Sequence, residues 1–238
     1  MTTMTDENTI AIVAAGGSGS RVRADRPKQF LELLGKPLLA HTVARFQRSP
    51  DIERIVVVLP GRDFEQHVEL MTPWLVPDDD LSLVPGGESR QDSVWNGLST
   101  IPASFEGWVL VHDGARPLVS EEIIGRVVAA GKRFGGAIAA LPVDETLKEV
   151  SSDDVVVGTV DRRLYYRAQT PQCFRHRVLR AAFERARAEG FQGTDEAQLV
   201  ERTGGKVRLV AGSVRNIKVT TREHLALAEH YLTLDPSQ

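Results

Sequence analysis

Three glycines, Gly16, Gly17 and Gly19, follow directly on an apolar run at residues 10–15, with Ser18 and Ser20 interspersed. Arg21, Arg23, Arg26 and Lys28 come next, around Pro27. The apolar run is long enough for a buried strand. A strand that empties into glycine turns its backbone N–H groups toward whatever lies beyond its end, and the missing Cβ lets that backbone approach a ligand closely. Cations just after such a loop suit a polyphosphate, here the triphosphate end of a nucleotide. Two common glycine loops do not fit. A Walker-type loop ends Gly-Lys-Ser/Thr, whereas Gly19 is followed by Ser20 and Arg21. A dinucleotide fingerprint needs a glycine where Val22 stands and an acid after the second strand, which instead reads Val58-Leu59-Pro60. Taken alone, the loop is equally well a solvated surface turn, so the rest of the chain has to decide.

Asp113 offers a second kind of chemistry. It closes an apolar run at residues 108–112 and can hold a divalent ion. Magnesium is usually bound by one or two carboxylates together with substrate phosphates, which a single strand-end acid suits. The neighbouring His112 reads as structural. The six histidines show no HxxxH spacing, so a zinc site is not expected. No Ser/His/Asp arrangement or carboxylate pair points to hydrolysis.

The elements that must position these groups alternate. Buried strands are expected at residues 10–15, 55–59, 81–84, 108–112 and 137–141, with helices at 38–46, 63–71, 91–99 and after Ser120. Ser120 caps the last of these, with Glu121 and Glu122 in its first turn, and Gly135-Gly136 ends it. Strand–helix alternation implies a parallel sheet with helices on both faces and ligand loops gathered along the strands' carboxyl edge. The singled-out residues fall there repeatedly: Gly16 to Arg21, then Gly86, Gly87 and Glu88, then Asp113 and Arg116, then Asp144 and Thr146. A hairpin at 146–150 and 155–160, turning through Ser151-Ser152-Asp153-Asp154, breaks the rhythm and should project as an arm. Isolated hairpins are marginal in water, so the arm needs a packing partner, and a second copy of the chain is the economical choice. Helices at 176–189, 195–202 and 223–232 and strands at 206–210 and 216–219 complete the chain. One domain over residues 9–234, with an arm at about 143–168, is expected.

Composition agrees. The 238 residues are 42% hydrophobic, with no run of transmembrane length. Residues 1–8 are polar and acidic, unlike a signal or transit peptide, and are expected to be disordered. The single Cys173 excludes an intrachain disulfide and fits a reducing, cytoplasmic setting. A net charge of −3 argues against nucleic acid as partner, and no membrane is implied.

Seven segments in order, AAGGSGSR…PKQF, VPGGESRQDSV, VHDGARP, PVDETLK, TVDRRLYYRAQTPQCF, GTDEAQ and RNIKVT, resemble the 2-C-methyl-D-erythritol 4-phosphate cytidylyltransferase family of the non-mevalonate isoprenoid pathway. The resemblance runs from Ile10 to Leu232. It implies a GT-A-like, Rossmann-type nucleotidyltransferase fold, CTP, Mg2+ and a homodimer joined by the arm. It assigns Arg21 and Lys28 to a basic pair that stabilises the transition state. Ala14, Ala15 and Gly16 match the loop around ribose and phosphates, and Gly87, Glu88 and Ser93 the cytosine-binding segment, whose acid is often Asp. Asp113 matches the Asp near the metal. Arg116, Thr146, Thr170 and Thr194 match positions around the methylerythritol phosphate, and Arg162 and Lys218 the cations that hold its phosphate. Two departures are the first loop, one residue longer than in some relatives, and Asp113-Gly114-Ala115-Arg116 where Asp-Ala-Ala-Arg is common.

The chemistry this implies is attack of a sugar-phosphate oxygen on the α-phosphorus of CTP, with pyrophosphate leaving. A phosphate monoester is already ionised near neutral pH, so no general base is required. Positioning and fixed positive charge then carry catalysis. A cytidylyltransferase for another sugar phosphate, such as ribitol 5-phosphate, is the near alternative. A non-catalytic nucleotide-sugar sensor is the distant one, and it has no use for Arg21, Lys28, Asp113 and Lys218 together.

Overall fold

The computed structural model describes residues 6–17, 27–76 and 80–234. The first strand, β1 (Thr9–Ala14), is the apolar run, and its side chains alternate between two cores. A 3-10 turn at Lys28–Phe30 precedes a tight hairpin, β2 (Glu32–Leu33) and β3 (Lys36–Pro37). Leu34 and Gly35 turn it with φ of 49° and 79°. Then come α1 (Leu38–Arg48), β4 (Arg54–Leu59), α2 (Phe64–Met71), β5 (Leu81–Pro85), α3 (Arg90–Ser99), β6 (Trp108–Asp113), α4 (Glu121–Phe134) and β7 (Gly136–Pro142). Two short strands, β8 (Lys148–Val150) and β9 (Val156–Thr159), lead to the long β10 (Tyr166–Arg175). The order closes with α5 (His176–Ala188), α6 (Glu196–Arg202), β11 (Arg208–Ala211) and α7 (Arg222–Leu234).

Seven strands make one sheet in the order β11-β7-β10-β6-β1-β4-β5. All neighbours run parallel except β10, which is antiparallel to both β6 and β7. Strand parity sorts the core. Ala11 and Val13 of β1, Ile55 and Val57 of β4 and Leu110 of β6 face α1 and α4. Ile10, Ile12, Val56, Val58, Val109 and Val111 face α3, α5 and α6. Period-2 burial on both faces is what near-continuous apolar runs produce in a covered parallel sheet. The expected cap on α4 is present: Ser120 Oγ accepts from the Ile123 N–H at 3.3 Å, and Gly135 at φ 91° ends the helix. A third cluster joins Ala228 and Leu232 of α7 to Leu33, Leu38, Leu118 and Val219.

Three expectations need correction. The strand β10 is absent from the sequence reading, because its run is rich in polar residues and carries Pro171, which argues against a central strand. Its ladder to β7 shifts register between Ala168 and Gln172, which accommodates the proline. Residues 216–219, expected as a strand, are irregular. Their alternation instead serves the α7 cluster, where Val219 is buried and its N–H donates to the Ala115 carbonyl at 2.8 Å. From sequence, Pro37 also suits a first-turn position of the helix expected at 38–46; it stands just before α1 as its N-cap instead.

Asn8, the last residue of the run expected to be disordered, is buried, and its carbonyl accepts from the Trp108 N–H at 2.9 Å; residues 1–5 lie outside the described residues. The arm hairpin pairs β8 with β9 antiparallel. Val150, Val155, Val156, Val157, Leu164 and Tyr165 are all exposed on this single chain, Leu164 at 79%. No helix among the described residues is long and apolar enough to cross a membrane.

Candidate active site

The carboxyl edge is built by close backbone approach. The chain leaves β1 at Ala14 and Ala15; the Ala15 N–H donates to the Val58 carbonyl at 2.8 Å, and the Gly114 N–H to the Ala14 carbonyl at 2.9 Å. A Cβ on Gly16 would lie 2.4 Å from Ser93 Oγ and 3.1 Å from the Gly86 Cα. Only glycine therefore lets the loops after β1 and β5 touch. Ser93 Oγ donates to the Ser89 carbonyl at 2.9 Å and accepts from the Gly87 N–H at 3.2 Å. It is buried beneath the loop it shapes, whereas Glu88 is exposed at the rim. Ser89 caps α3 through a capping box with Asp92, so the helix N-terminus is fixed beside Gly87.

Gln29, not singled out in the sequence, ties the other side. Its buried amide donates to the Ala15 carbonyl at 2.7 Å and the Gly17 carbonyl at 3.0 Å. The adjacent Phe30 is buried and stacks on His67 with centroids 4.6 Å apart. Lys28 opens the 3-10 turn, but its side chain, and all of residues 18–26 including Arg21, lie outside the described residues.

Beside these loops lies a cleft of about 230 Å3 lined by Arg90, Asp113, Arg116, Thr170, Thr194 and Lys218, with Gln169 and Gln172 deeper in. Asp113 is its centre and is 6% exposed. Its Oδ1 accepts from Arg90 Nε at 2.9 Å; its Oδ2 takes Lys218 Nζ at 2.8 Å and lies 3.6 Å from Arg116 Nε. Burial alone would raise its pKa, but Arg90, Lys218 and Arg116 outweigh burial and hold the carboxyl well below the usual carboxylate range. Arg116 loses proton affinity to burial, which its attraction to Asp113 only partly offsets.

Behind Asp113 a hydrogen-bond chain fixes the strand end. Thr170 Oγ1 accepts from the Asp113 N–H at 3.0 Å and lies 3.1 Å from His112 Nδ1. His112 Nε2 lies 3.1 Å from the Arg116 carbonyl, which can only accept. The ring proton therefore sits on Nε2, and Thr170 donates to Nδ1. Burial pushes the His112 pKa down to about 3, so the ring is neutral and structural, as expected from sequence. The Thr170 hydroxyl proton is thus committed to the scaffold.

Lys218 is held on its irregular segment by amides. Gln169 Nε2 donates to the Ser213 carbonyl at 2.9 Å, Asn216 Nδ2 to the Thr170 carbonyl at 2.8 Å, and Arg116 Nη1 to the Asn216 carbonyl at 2.7 Å. On the far wall, Gln172 bridges β10 to α6: it donates to Asp195 Oδ2 at 2.9 Å and accepts from the Ala197 N–H at 3.0 Å. This places Thr194 at the rim. Glu196, 1% exposed, accepts both terminal nitrogens of Arg90 at 2.6 and 2.9 Å.

The structure therefore brings Asp113, Arg116, Thr170, Thr194 and Lys218 together, next to Ala14, Ala15, Gly16, Gly87, Glu88 and Ser93. It does not bring Thr146 or Arg162 to this cleft within one chain: both are exposed on the arm, and Arg162 donates to the Asp144 carbonyl. Arg90, Glu196, Gln29, Gln169, Gln172 and Asn216 are site residues that the sequence reading missed. All lie inside the quoted motifs, yet nothing local reveals that Arg90 and Glu196, 106 residues apart, form a pair. Among the described residues, no group of three or more His, Cys, Asp or Glu could hold a metal ion. Asp113 would hold an ion such as magnesium through Oδ2 once Lys218 leaves that oxygen, with substrate phosphates and water as the other ligands.

Glycine-built loops beside a pocket lined by Arg90, Arg116 and Lys218, at the carboxyl edge of a mostly parallel sheet, are an arrangement that suits a nucleotidyltransferase. Residues 9–234 match the family model described as 2-C-methyl-D-erythritol 4-phosphate cytidylyltransferase. The enzyme of that name from Syntrophus aciditrophicus (strain SB) is 44% identical over 226 residues, covering 94% of this chain and 95% of that protein. The one from Geotalea uraniireducens (strain Rf4) is 44% identical over 223 residues, covering 93% of this chain and 95% of that protein. The crystal structure of 4-diphosphocytidyl-2C-methyl-D-erythritol synthase from Anaerococcus prevotii DSM 20548 superposes with a TM-score of 0.83 at 31% identity, covering 96% of this chain and 100% of that one. The chain belongs to the 2-C-methyl-D-erythritol 4-phosphate cytidylyltransferase family.

Proposed function

We propose that the cleft around Asp113 seats the acceptor and that the loops after β1 and β5 seat CTP. The reaction is that of the family: the cytidylyl group of CTP passes to 2-C-methyl-D-erythritol 4-phosphate, giving 4-diphosphocytidyl-2-C-methyl-D-erythritol and pyrophosphate. The observation that carries the assignment of sites is the convergence of Arg116 and Lys218 on Asp113 within one pocket, next to the Gly16–Gly86 contact.

Both reactants are anions, so repulsion is the first obstacle. Lys218, 37% exposed and held by one carboxylate oxygen, is free to exchange that partner for the acceptor's phosphate. Arg116, anchored through Nη1, borders the same space. The Gly87 and Glu88 segment would read cytosine, with Ser93 holding its backbone from below. Lys28 and Arg21 would take up charge at the α-phosphoryl group and the leaving pyrophosphate. Asp113 would hold magnesium, which supplies charge neutralisation for the triphosphate. In-line attack then needs only alignment, since the nucleophile is already ionised.

The arm is the dimerisation element in this reading. Its exposed valines, Leu164 and Tyr165 need cover, and Arg162 and Thr146 would serve the partner's acceptor pocket. Pyrophosphate release, measured with CTP, UTP and ATP against methylerythritol phosphate and ribitol 5-phosphate, tests the function. CTP with methylerythritol phosphate should be preferred. Equal kcat/KM for ribitol 5-phosphate would overturn the acceptor assignment, and equal kcat/KM for UTP the cytosine assignment.

A further inference from the structure

Arg90 is the first residue of α3, and the Ser89–Asp92 capping box fixes its backbone beside the proposed cytosine loop. Its side chain crosses from that loop to the acceptor cleft. Nη1 and Nη2 donate to the two oxygens of Glu196, at 2.6 and 2.9 Å, and Nε donates to Asp113 Oδ1 at 2.9 Å. Glu196 is 1% exposed, and its helix begins two residues after Thr194. The guanidinium is planar, so a fork seated on Glu196 leaves Nε one direction in which to point. Asp113 Oδ2 is the oxygen that meets Lys218 and Arg116.

We propose that Arg90 and Glu196 are positioning residues for the transfer reaction: the fork grips Asp113 by Oδ1, presents Oδ2 alone to the acceptor cleft, and so sets where the Lys218 ammonium rests. The proposal rests on the reading that Asp113 and Lys218 serve the acceptor. A pair that only stabilised the fold would have no need of the site's own acid as a third member. Buried ion pairs are in any case weak evidence for stability, because desolvation offsets much of their attraction. A lysine at position 90 keeps the charge but loses the fork, and a glutamine at 196 keeps the shape but loses one charge.

The test compares R90K, E196Q and K218A with the wild-type enzyme, each assayed well below its own melting temperature. R90K and E196Q should lower kcat/KM for the acceptor by about 10- to 100-fold, the cost of a small misplacement in an aligned site. Binding of CTP measured without magnesium should stay within about twofold, because the loop that reads the base is capped independently by Ser89 and Asp92. Calorimetric binding of the unreactive acceptor in the absence of CTP should weaken in parallel, a readout separate from turnover. If R90K and E196Q keep wild-type acceptor kinetics while K218A is inactive, the positioning role is overturned and the site reading stands. Equal losses of affinity for the acceptor and for CTP without magnesium would mean a structural role only and also overturn it. If K218A itself transfers normally, the acceptor-site reading fails and the inference falls with it.

Discussion

His112 shows how one buried side chain ties the site to solution conditions. Burial lowers its pKa from 6.5 to about 3. Between those values the unfolded chain binds a proton that the folded chain refuses. The folded state therefore has its full stability above about pH 6.5 and loses it as pH falls toward 3, at roughly 1.4 kcal/mol per pH unit. His41 and His176 are also lowered, chiefly by burial, and act in the same direction. Urea unfolding of His112→Gln between about pH 6 and 4 should show a shallower pH slope, by close to one proton. A slope identical to wild type would mean that His112 does not carry this proton linkage. The Asp113 carboxyl behaves differently, because Arg90, Lys218 and Arg116 hold it ionised through this range.

At the scale of elements, the segment between β11 and α7 matters most. It has no ladder, so Lys218 depends on Gln169, Asn216 and the packing of Val219. Asn216→Ala removes the bond to the Thr170 carbonyl and leaves that carbonyl without this partner. A cost of about 1–3 kcal/mol in stability is expected. KM for the acceptor should rise at least severalfold while KM for CTP holds, as steady-state kinetics with each substrate varied would reveal; equal changes in both would contradict this account. The same segment marks the boundary of what sequence could convey. The five apolar strands and their helices were legible because each signal is local: burial at period 2 or 3.6 and turns at glycine and proline. The α4 boundaries were legible from Ser120 and Gly135 for the same reason. The strand β10 was not, because Gln169, Thr170 and Gln172 spend their side chains on the site and its scaffold, which erases the apolar alternation of a central strand. Residues 216–219 carried an alternating pattern that packs against α7 instead of pairing in a sheet. Within the site, strand ends placed Asp113 and Arg116 on one edge and only the family resemblance added Lys218, while the Arg90–Glu196 pairing lives only in three dimensions.

For the whole molecule, the proposed dimer would complete each site through the arm. A twofold interface is reciprocal, so each active site would combine Lys28 of one chain with Arg162 of its mate. Lys28→Ala and Arg162→Ala homodimers should each be nearly inactive. Co-refolded, they should yield heterodimers with one doubly defective site and one intact site. With random pairing about a quarter of wild-type activity should return. Proven heterodimers without recovered activity would show that Arg162 acts within its own chain.

The acceptor cleft also depends on contacts between distant parts of the chain. Arg90 meets Glu196 across 106 positions, Arg116 meets the Asn216 carbonyl across 100, and the Asp113 N–H meets Thr170 across 57. The parallel β1–β6 pairing at the centre of the sheet is as distant, joining Thr9 to Trp108. Contacts of long sequence separation must meet their loop-closure entropy before any contact energy is gained, so they tend to form late. During refolding, the centre of the sheet and the acceptor cleft should therefore appear together and late, and recovery of acceptor binding should track the chain's final step toward the native state.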